Sequence, residues 1–93
     1  MDLQLSEQHV LITGGSKGIG LACARGFLRE GARVSLVARD QNGLANARQH
    51  LLSDAADAQA RIALVAADLR EGAHAEQALV EAEAAFGPID VLV

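Results

Sequence analysis

The stretch at residues 9–24, HVLITGGSKGIGLACA, decides the fold because it passes from an apolar run through glycines into a helical pattern. Residues 10–12 show no alternation with polar residues, which predicts a strand buried on both faces. Ile19, Cys23 and Phe27 follow at helical spacing and predict an amphipathic helix with these three side chains on its buried stripe. The glycines between the two elements are therefore expected on a tight turn from strand to helix.

The remaining sequence repeats this alternation of apolar runs and helical patterns. Strands are predicted at residues 34–37, 62–66 and 89–93, and helices at about residues 40–52 and 73–86. Gly31 and Gly87 are expected to end the first and third helices. The side chains expected to face the core are Leu44, Ala47 and Leu51 in the second helix, and Ala75, Ala78, Leu79, Ala82 and Phe86 in the third. The order β-α-β-α-β-α-β predicts an α/β fold, a Rossmann-type doubly wound parallel sheet truncated after its fourth strand.

Composition and charge exclude several classes of protein. The chain has 93 residues, of which 51% are hydrophobic, so it is one globular domain or a piece of one. A net charge of −4 argues against nucleic acid as a partner, since that needs a basic face. The sequence begins without a long apolar run, so we expect no signal peptide and no membrane partner. A single cysteine, Cys23, favours a reducing cytoplasm. The three histidines are far apart, so no metal site and only surface or helix-end histidines are expected.

The glycine turn predicts a binding site for a phosphate group. Orphan amides and the positive end of the dipole at a helix start stabilise an anion, and glycine lets it approach the backbone. The spacing is Thr13-Gly14-x-x-x-Gly18-x-Gly20, which is not a Walker A loop and fits the common G-x-G-x-x-G pattern poorly. A turn in which the glycines serve geometry alone is the alternative.

Four segments together resemble the short-chain dehydrogenase/reductase family. They are TGGSKGIG, ARD after the second strand, AADL after the third, and GPIDVLV leading into the fourth. Their order and spacing are similar to the N-terminal half of that family along essentially the whole chain. The resemblance implies hydride transfer between a nicotinamide dinucleotide and a small carbonyl or alcohol substrate, with residues 1–93 as the NADP-binding half-domain of a larger domain. It also implies a homo-oligomer, a tetramer in a complete protein.

The resemblance also implies roles for individual residues. Thr13 would brace the turn, and Asp68 would accept a hydrogen bond from the adenine amino group. The alternative for Asp68 is a helix cap or turn residue. The remaining positions are Gly14, Gly18 and Gly20 along the pyrophosphate, Ile19 near the nicotinamide, and Leu69 as a backbone contact to adenine.

The end of the second strand favours NADP over NAD. An acidic residue there binds the ribose 2′-hydroxyl of NAD, whereas a nearby arginine accommodates the 2′-phosphate of NADP. Ala38 stands at the acidic position, and Arg39 follows with a guanidinium that can pair bidentately with phosphate. Lys17 adds a second cation and Ser16 a hydroxyl donor. Asp40 could pair with Arg39 or cap the next helix.

No residue of this chain is assigned a catalytic role. In the resembling family a Tyr-x-x-x-Lys pair and a serine supply the proton, but this sequence has no tyrosine and its single lysine is Lys17. An apolar fourth strand would also be an exposed edge if the sheet ended there. We therefore expect a fragment that is inactive by itself. One alternative is a truncated, non-catalytic module that binds a nucleotide or pairs with a partner. Another is a methyltransferase, disfavoured by the missing acid after the second strand.

Overall fold

A computed structural model of the protein describes residues 7–14, 18–54 and 56–93. Within those ranges the strands are β1 (His9–Thr13), β2 (Arg33–Ala38), β3 (Ile62–Ala66) and β4 (Val91–Leu92). The α-helices are α1 (Gly18–Arg29), α2 (Gln41–Asp54) and α3 (Gly72–Phe86). The predicted alternation is confirmed, although β4 is shorter than the five-residue run expected from the sequence. No helix in the described ranges is long and apolar enough to cross a membrane.

The four strands form one parallel sheet in the order β3-β2-β1-β4. β1 lies between β2 and β4, and its register pairs Val10 with Val34 on one side and with Val91 on the other. The chain builds outward from β1 through β2 to β3 and then crosses back to the opposite side of β1. Ligands of open parallel sheets bind beyond the carboxyl ends of the strands near such a reversal.

Apolar side chains cover both faces of the sheet. One cluster packs Val10, Ile12, Val34 and Leu36 against Ala24 and Leu28 of α1 and Leu44, Ala47 and Leu51 of α2. The other packs Leu11, Val37 and Val65 against Ala78 and Ala82 of α3. Helices on both faces confirm the doubly wound α/β fold. Burying a valine, leucine or isoleucine stabilises a fold by about 1.5–3 kcal/mol, so these clusters are its main source of stability.

Glycines end two of the helices, as the sequence predicts. Gly31 has a φ of +87°, and its N–H donates to the carbonyl oxygen of Leu28 at 3.0 Å. The N–H of Ala32 donates to Phe27 at 3.1 Å, which completes a Schellman motif at the end of α1. Gly87, with a φ of +83°, donates to Glu83 at 2.7 Å after α3.

The connector before β3 contains a short 3-10 helix, Ala56–Arg61, where the sequence indicated only a polar linker. Its last residue, Arg61, donates from Nη1 to the carbonyl oxygens of Leu28 and Ala32, at 3.0 and 3.1 Å. The connector therefore has a structural task, because it satisfies carbonyl groups at the end of α1.

The predicted buried stripe of α1 is wrong in part. Ile19 is 84% exposed, whereas Ala24 and Leu28 are buried and Cys23 and Phe27 are half-buried. The small side chain of alanine lets the helix approach the sheet closely, so the contact line shifts one position from the larger residues. In α3 the same effect leaves Leu79 41% exposed beside buried Ala78 and Ala82.

His9 is buried, which contradicts the expectation that the histidines lie on the surface. Its Nδ1 lies 2.9 Å from the carbonyl oxygen of Gly87, and its Nε2 lies 2.7 Å from Oγ of Ser35. A carbonyl oxygen only accepts, so Nδ1 is the donor there. The ring packs edge-on to Phe86 at 5.4 Å, and the His9 N–H donates to the carboxylate of Asp90 at 2.9 Å. His9 thus joins β1 to β2 and to the turn before β4.

Candidate functional site

A cleft of about 530 Å³ opens at the carboxyl end of the sheet. It is lined by Gly14 after β1, residues 37–40 around the end of β2, and residues 67–70 after β3. The N–H of Ala67 donates to the carbonyl oxygen of Ala38 at 2.9 Å, so the last two segments are tied together at the base of the cleft. Three separate positions of the sequence, each predicted to contact a ligand, are therefore brought to one place.

Gly14 after β1 and Gly18 at the start of α1 both present bare backbone. Gly14 and Gly18 have φ values of +67° and +57°, a conformation in which any other residue is strained. A Cβ built at either position meets no heavy atom within 4 Å, so open space surrounds both. Gly20 lies in the first turn of α1. Ser16 and Lys17 fall outside the described residues.

The positions flanking the turn differ in exposure and in partners. Ile19 is 84% exposed at the start of α1, where an apolar surface remains available to a ligand. Thr13 donates from Oγ1 to the carbonyl oxygen of Val93 at 3.3 Å, which ties the end of β1 to the segment after β4. With its side chain exposed, Ile19 is not part of the core.

Arg39 and Asp40 follow β2 and line the cleft together. Oδ1 of Asp40 accepts a hydrogen bond from the N–H of Asn42 at 2.9 Å, and its carbonyl oxygen accepts from Leu44 at 3.0 Å. Asp40 is therefore the N-cap of α2, the second of the two roles that the sequence left open. In the part of the chain that the structure describes, Arg39 forms no ion pair with a carboxylate.

Asp68 lies two residues after β3, and its carboxylate is held by Arg70. Nε of Arg70 donates to Oδ1 at 3.0 Å, and Nη2 donates to Oδ2 at 2.9 Å. The N–H of Arg70 also donates to Oδ1 at 3.0 Å, which makes Asp68 a turn residue as well as a lining residue. These bonds from Arg70, with a smaller contribution from the charge of Arg39, hold the pKa of the Asp68 carboxyl well below its usual range.

The sequence did not indicate a role for Arg70. The signal available was an arginine two residues after an aspartate in one short loop, a spacing at which a fork-shaped guanidinium can fold back onto the carboxylate. The cleft is lined by two arginines and two aspartates: Arg39, Arg70, Asp40 and Asp68. Their charges cancel, so the cleft is formally neutral although the chain has a net charge of −4. Leu69, between the two paired residues, is 38% exposed and supplies apolar surface.

A family model described as short chain dehydrogenase matches residues 8–93, nearly the whole chain. This protein belongs to the short-chain dehydrogenase family. The resemblance found in the four sequence segments is thereby confirmed, and the parallel sheet with its cleft beyond the carboxyl ends of the strands agrees with it.

Relatives of this short-chain dehydrogenase chain include reductases. It is 41% identical over 87 residues to 3-dehydrosphinganine reductase TSC10B of Arabidopsis thaliana, an alignment that covers 92% of the chain and 24% of the relative. Its fold matches L-sorbose reductase of Gluconobacter frateurii, solved with NADPH and L-sorbose, with a TM-score of 0.87 and 36% identity over 99% of the chain and 34% of that protein. The C-domain of a bacterial malonyl-CoA reductase with NADP matches with a TM-score of 0.86 and 34% identity, covering 94% of the chain and 14% of that protein.

The match to relatives is long for this chain and short for them. The chain spans between 24% and 33% of the length of the curated relatives that it matches. The site described above therefore corresponds to one part of those proteins.

Proposed function

We propose that this chain is the NADP-binding half-domain, residues 1–93, of an oxidoreductase that transfers hydride between NADP(H) and a small carbonyl or alcohol substrate. Membership of the short-chain dehydrogenase family supports the reaction class. NADPH in the structure of L-sorbose reductase and NADP in that of the malonyl-CoA reductase C-domain support the cofactor.

The residues of the cleft fit an anionic dinucleotide. Open space at the Cβ positions of Gly14, which lines the cleft, and of Gly18, at the start of α1, lets a diphosphate approach the backbone. The observation that carries the choice of NADP is that Arg39 lines the cleft after β2, next to Ala38, which stands where an acidic residue would favour NAD. Asp40, the nearest carboxylate in sequence, is already engaged as the cap of α2.

Each predicted residue contacts one part of the dinucleotide. Arg39, with Lys17 and Ser16, binds the 2′-phosphate, and Asp68 accepts a hydrogen bond from adenine. Gly14, Gly18 and Gly20 take the diphosphate, Leu69 contacts adenine, and Ile19 packs near the nicotinamide. The bound nicotinamide would supply or accept the hydride, while the residues of this chain bind and orient it.

Titration of the chain with NADP+ and NAD+ tests the proposal. We expect NADP+ to bind more tightly, and Arg39→Ala to weaken NADP+ about 10- to 100-fold, because a charge-assisted hydrogen bond to phosphate is lost. NAD+ affinity should change less than about threefold, since NAD+ lacks the 2′-phosphate. Arg29→Ala, which removes an exposed arginine outside the cleft, is the matched control. Equal losses for both dinucleotides would refute the phosphate contact, and no binding of either by the wild type would refute the function.

A second candidate is a module that binds the dinucleotide without turnover. Residues 1–93 contain no tyrosine, the proton donor of the resembling family, so binding without turnover is expected of these residues by themselves. We expect no oxidation of NADPH when the chain is mixed with a panel of aldehydes and ketones, followed by absorbance of the reduced nicotinamide. Measurable turnover would show that another residue donates the proton. The cytoplasmic location and the homo-oligomer stay predictions.

A further inference from the structure

Arg70 lies beside the residue proposed to recognise adenine, yet no role follows for it from the family's sequence pattern. Its side chain is 75% exposed, so it does not serve the core. Two of its side-chain N–H groups donate to the carboxylate of Asp68, and both residues line the cleft. The bidentate ion pair of Arg70 and Asp68 therefore lies where it can affect a bound ligand.

The hydrogen bonds of the Asp68 carboxylate are unevenly distributed between its two oxygens. Oδ1 accepts from both the N–H and the Nε of Arg70, whereas Oδ2 accepts only from Nη2. A carboxylate offers about four acceptor positions, two on each oxygen. Among the described contacts, Oδ2 therefore keeps one acceptor position, on a residue that lines the cleft.

Orientation of this acceptor has a thermodynamic consequence. The Asp68 side chain is 27% exposed and, without a partner, would sample several rotamers. Binding a ligand to a mobile side chain costs the entropy of immobilising it, whereas a side chain already fixed avoids that cost. The fork of Arg70 fixes both oxygens at once and favours the ionised, accepting form of the carboxylate.

We propose that Arg70 is a positioning residue for base recognition, which holds the carboxylate of Asp68 so that Oδ2 accepts the 6-amino group of adenine. The inference rests on the proposed function, since it needs a dinucleotide in the cleft. It adds a residue and a chemical selection: the site distinguishes a 6-amino purine from a 6-oxo purine. A hypoxanthine base presents an oxygen to Oδ2, and two acceptors that face each other repel.

The test compares NADP+ with nicotinamide hypoxanthine dinucleotide phosphate, in which an oxo group replaces the 6-amino group of the base and N1 carries a hydrogen. Calorimetric titration of the wild-type chain should show NADP+ binding about tenfold or more tightly than the 6-oxo analogue. Arg70→Gln should reduce this ratio by about two- to tenfold, because the carboxylate must then be ordered at binding. Arg70→Lys, which keeps the charge without the fork, should restore part of the ratio. Arg29→Gln is the matched control and should leave it unchanged.

A second readout needs no cofactor. Carbon-13 NMR of the Asp68 carboxyl should show a pKa well below the ordinary range in the wild type. In Arg70→Gln this pKa should rise toward the ordinary range, because the side-chain hydrogen bonds are lost while the backbone N–H of residue 70 still donates to Oδ1. If Arg70 were an exposed residue with no role in the site, its replacement would not change the ratio of the affinities for NADP+ and the 6-oxo analogue.

The outcomes separate the inference from the function beneath it. NADP+ binding with a base ratio that Arg70→Gln does not change would overturn the positioning role and leave the proposed function standing. If Arg70→Gln lowers the affinity for NADP+ and for its 6-oxo analogue equally and leaves that for NAD+ unchanged, Arg70 contacts the 2′-phosphate. That result would also overturn the positioning role. If no dinucleotide binds the wild type, the proposed function fails and the inference with it, whatever the NMR titration shows.

Discussion

The two ends of the sheet use polar groups in opposite ways. At the amino end, His9 and Ser35 are buried and bond to each other, and His9 also bonds to the backbone of Gly87. At the carboxyl end, Arg39 is exposed and Arg70 reaches Asp68 across the surface of an open cleft. Buried polar groups stabilise a fold only while every partner is present, whereas exposed ones contribute little to stability and remain available to a ligand. Stability and binding should therefore be separable by mutation.

The largest effect is expected at the amino end, from His9→Ala. The change removes a buried ring packed on Phe86 and leaves the hydroxyl of Ser35 without its partner. We expect the free energy of unfolding to fall by about 2–4 kcal/mol, measured by urea denaturation. His50→Ala, at an exposed histidine of α2, is the control and should change it by less than about 0.5 kcal/mol. A similar loss in both variants would contradict the assignment of His9 to the core.

A pair of glycine substitutions sharpens the comparison between the ends. Gly14 in the cleft and Gly87 at the amino end both have positive φ and no atom within 4 Å of an added Cβ. Alanine at either position should cost about 1–2 kcal/mol of unfolding free energy through backbone strain alone. Only Gly14→Ala places a methyl group in the cleft, so it alone should also weaken dinucleotide binding. A loss of NADP+ affinity in Gly87→Ala equal to that in Gly14→Ala would remove the distinction.

Asp40→Ala tests a residue that belongs to the cleft by position and to the fold by task. Loss of the cap at Asn42 should lower the free energy of unfolding by about 1 kcal/mol, measured by thermal or urea denaturation. NADP+ affinity should be unchanged or slightly higher, because a negative charge near Arg39 is removed. A marked loss of NADP+ affinity would instead make Asp40 a ligand contact.

The smallest effect is expected from the exposed pair of Arg70 and Asp68. Because Arg70 holds the folded-state pKa of Asp68 below its unfolded value, the pair stabilises the fold above that unfolded value, and this contribution is lost as pH falls. Arg70→Gln should therefore lower the melting temperature slightly near neutral pH, and the difference should shrink in acid and in high salt. A difference that grows in acid would have the wrong sign for this pair.

The sequence predicts the fold well because the α/β pattern is local. Apolar runs such as residues 10–12 and the repeat of Leu44, Ala47 and Leu51 identify buried strands and helix faces without knowledge of their partners. The limits of α1 and α2 follow from Gly31 and Asp40 in the same way. The burial of His9 was not predictable, since its partners lie 26 and 78 residues away in sequence.

The site was only partly predictable for a related reason. Gly14, Arg39 and Asp68 follow apolar runs, so the rule that ligands gather beyond strand ends finds all three. The pairing of Arg70 with Asp68 depends on the conformation of the loop after β3, which no periodicity reports. Ile19 illustrates this limit of the sequence pattern. Its helical spacing predicted a core residue, but its side chain is exposed beside the turn.

The contacts of His9 also order events during synthesis of the chain. Asp90, 81 residues further along the chain, accepts a hydrogen bond from its N–H, and the carbonyl oxygen of Gly87, 78 residues further along, accepts one from its ring. Neither bond can form until residues 87–90 have left the ribosome, and closing so long a loop is slow. β1 is synthesised before the turn that precedes β4, so its polar contacts to that turn form late, and a nascent chain halted before residue 87 would leave the His9 ring without its carbonyl partner.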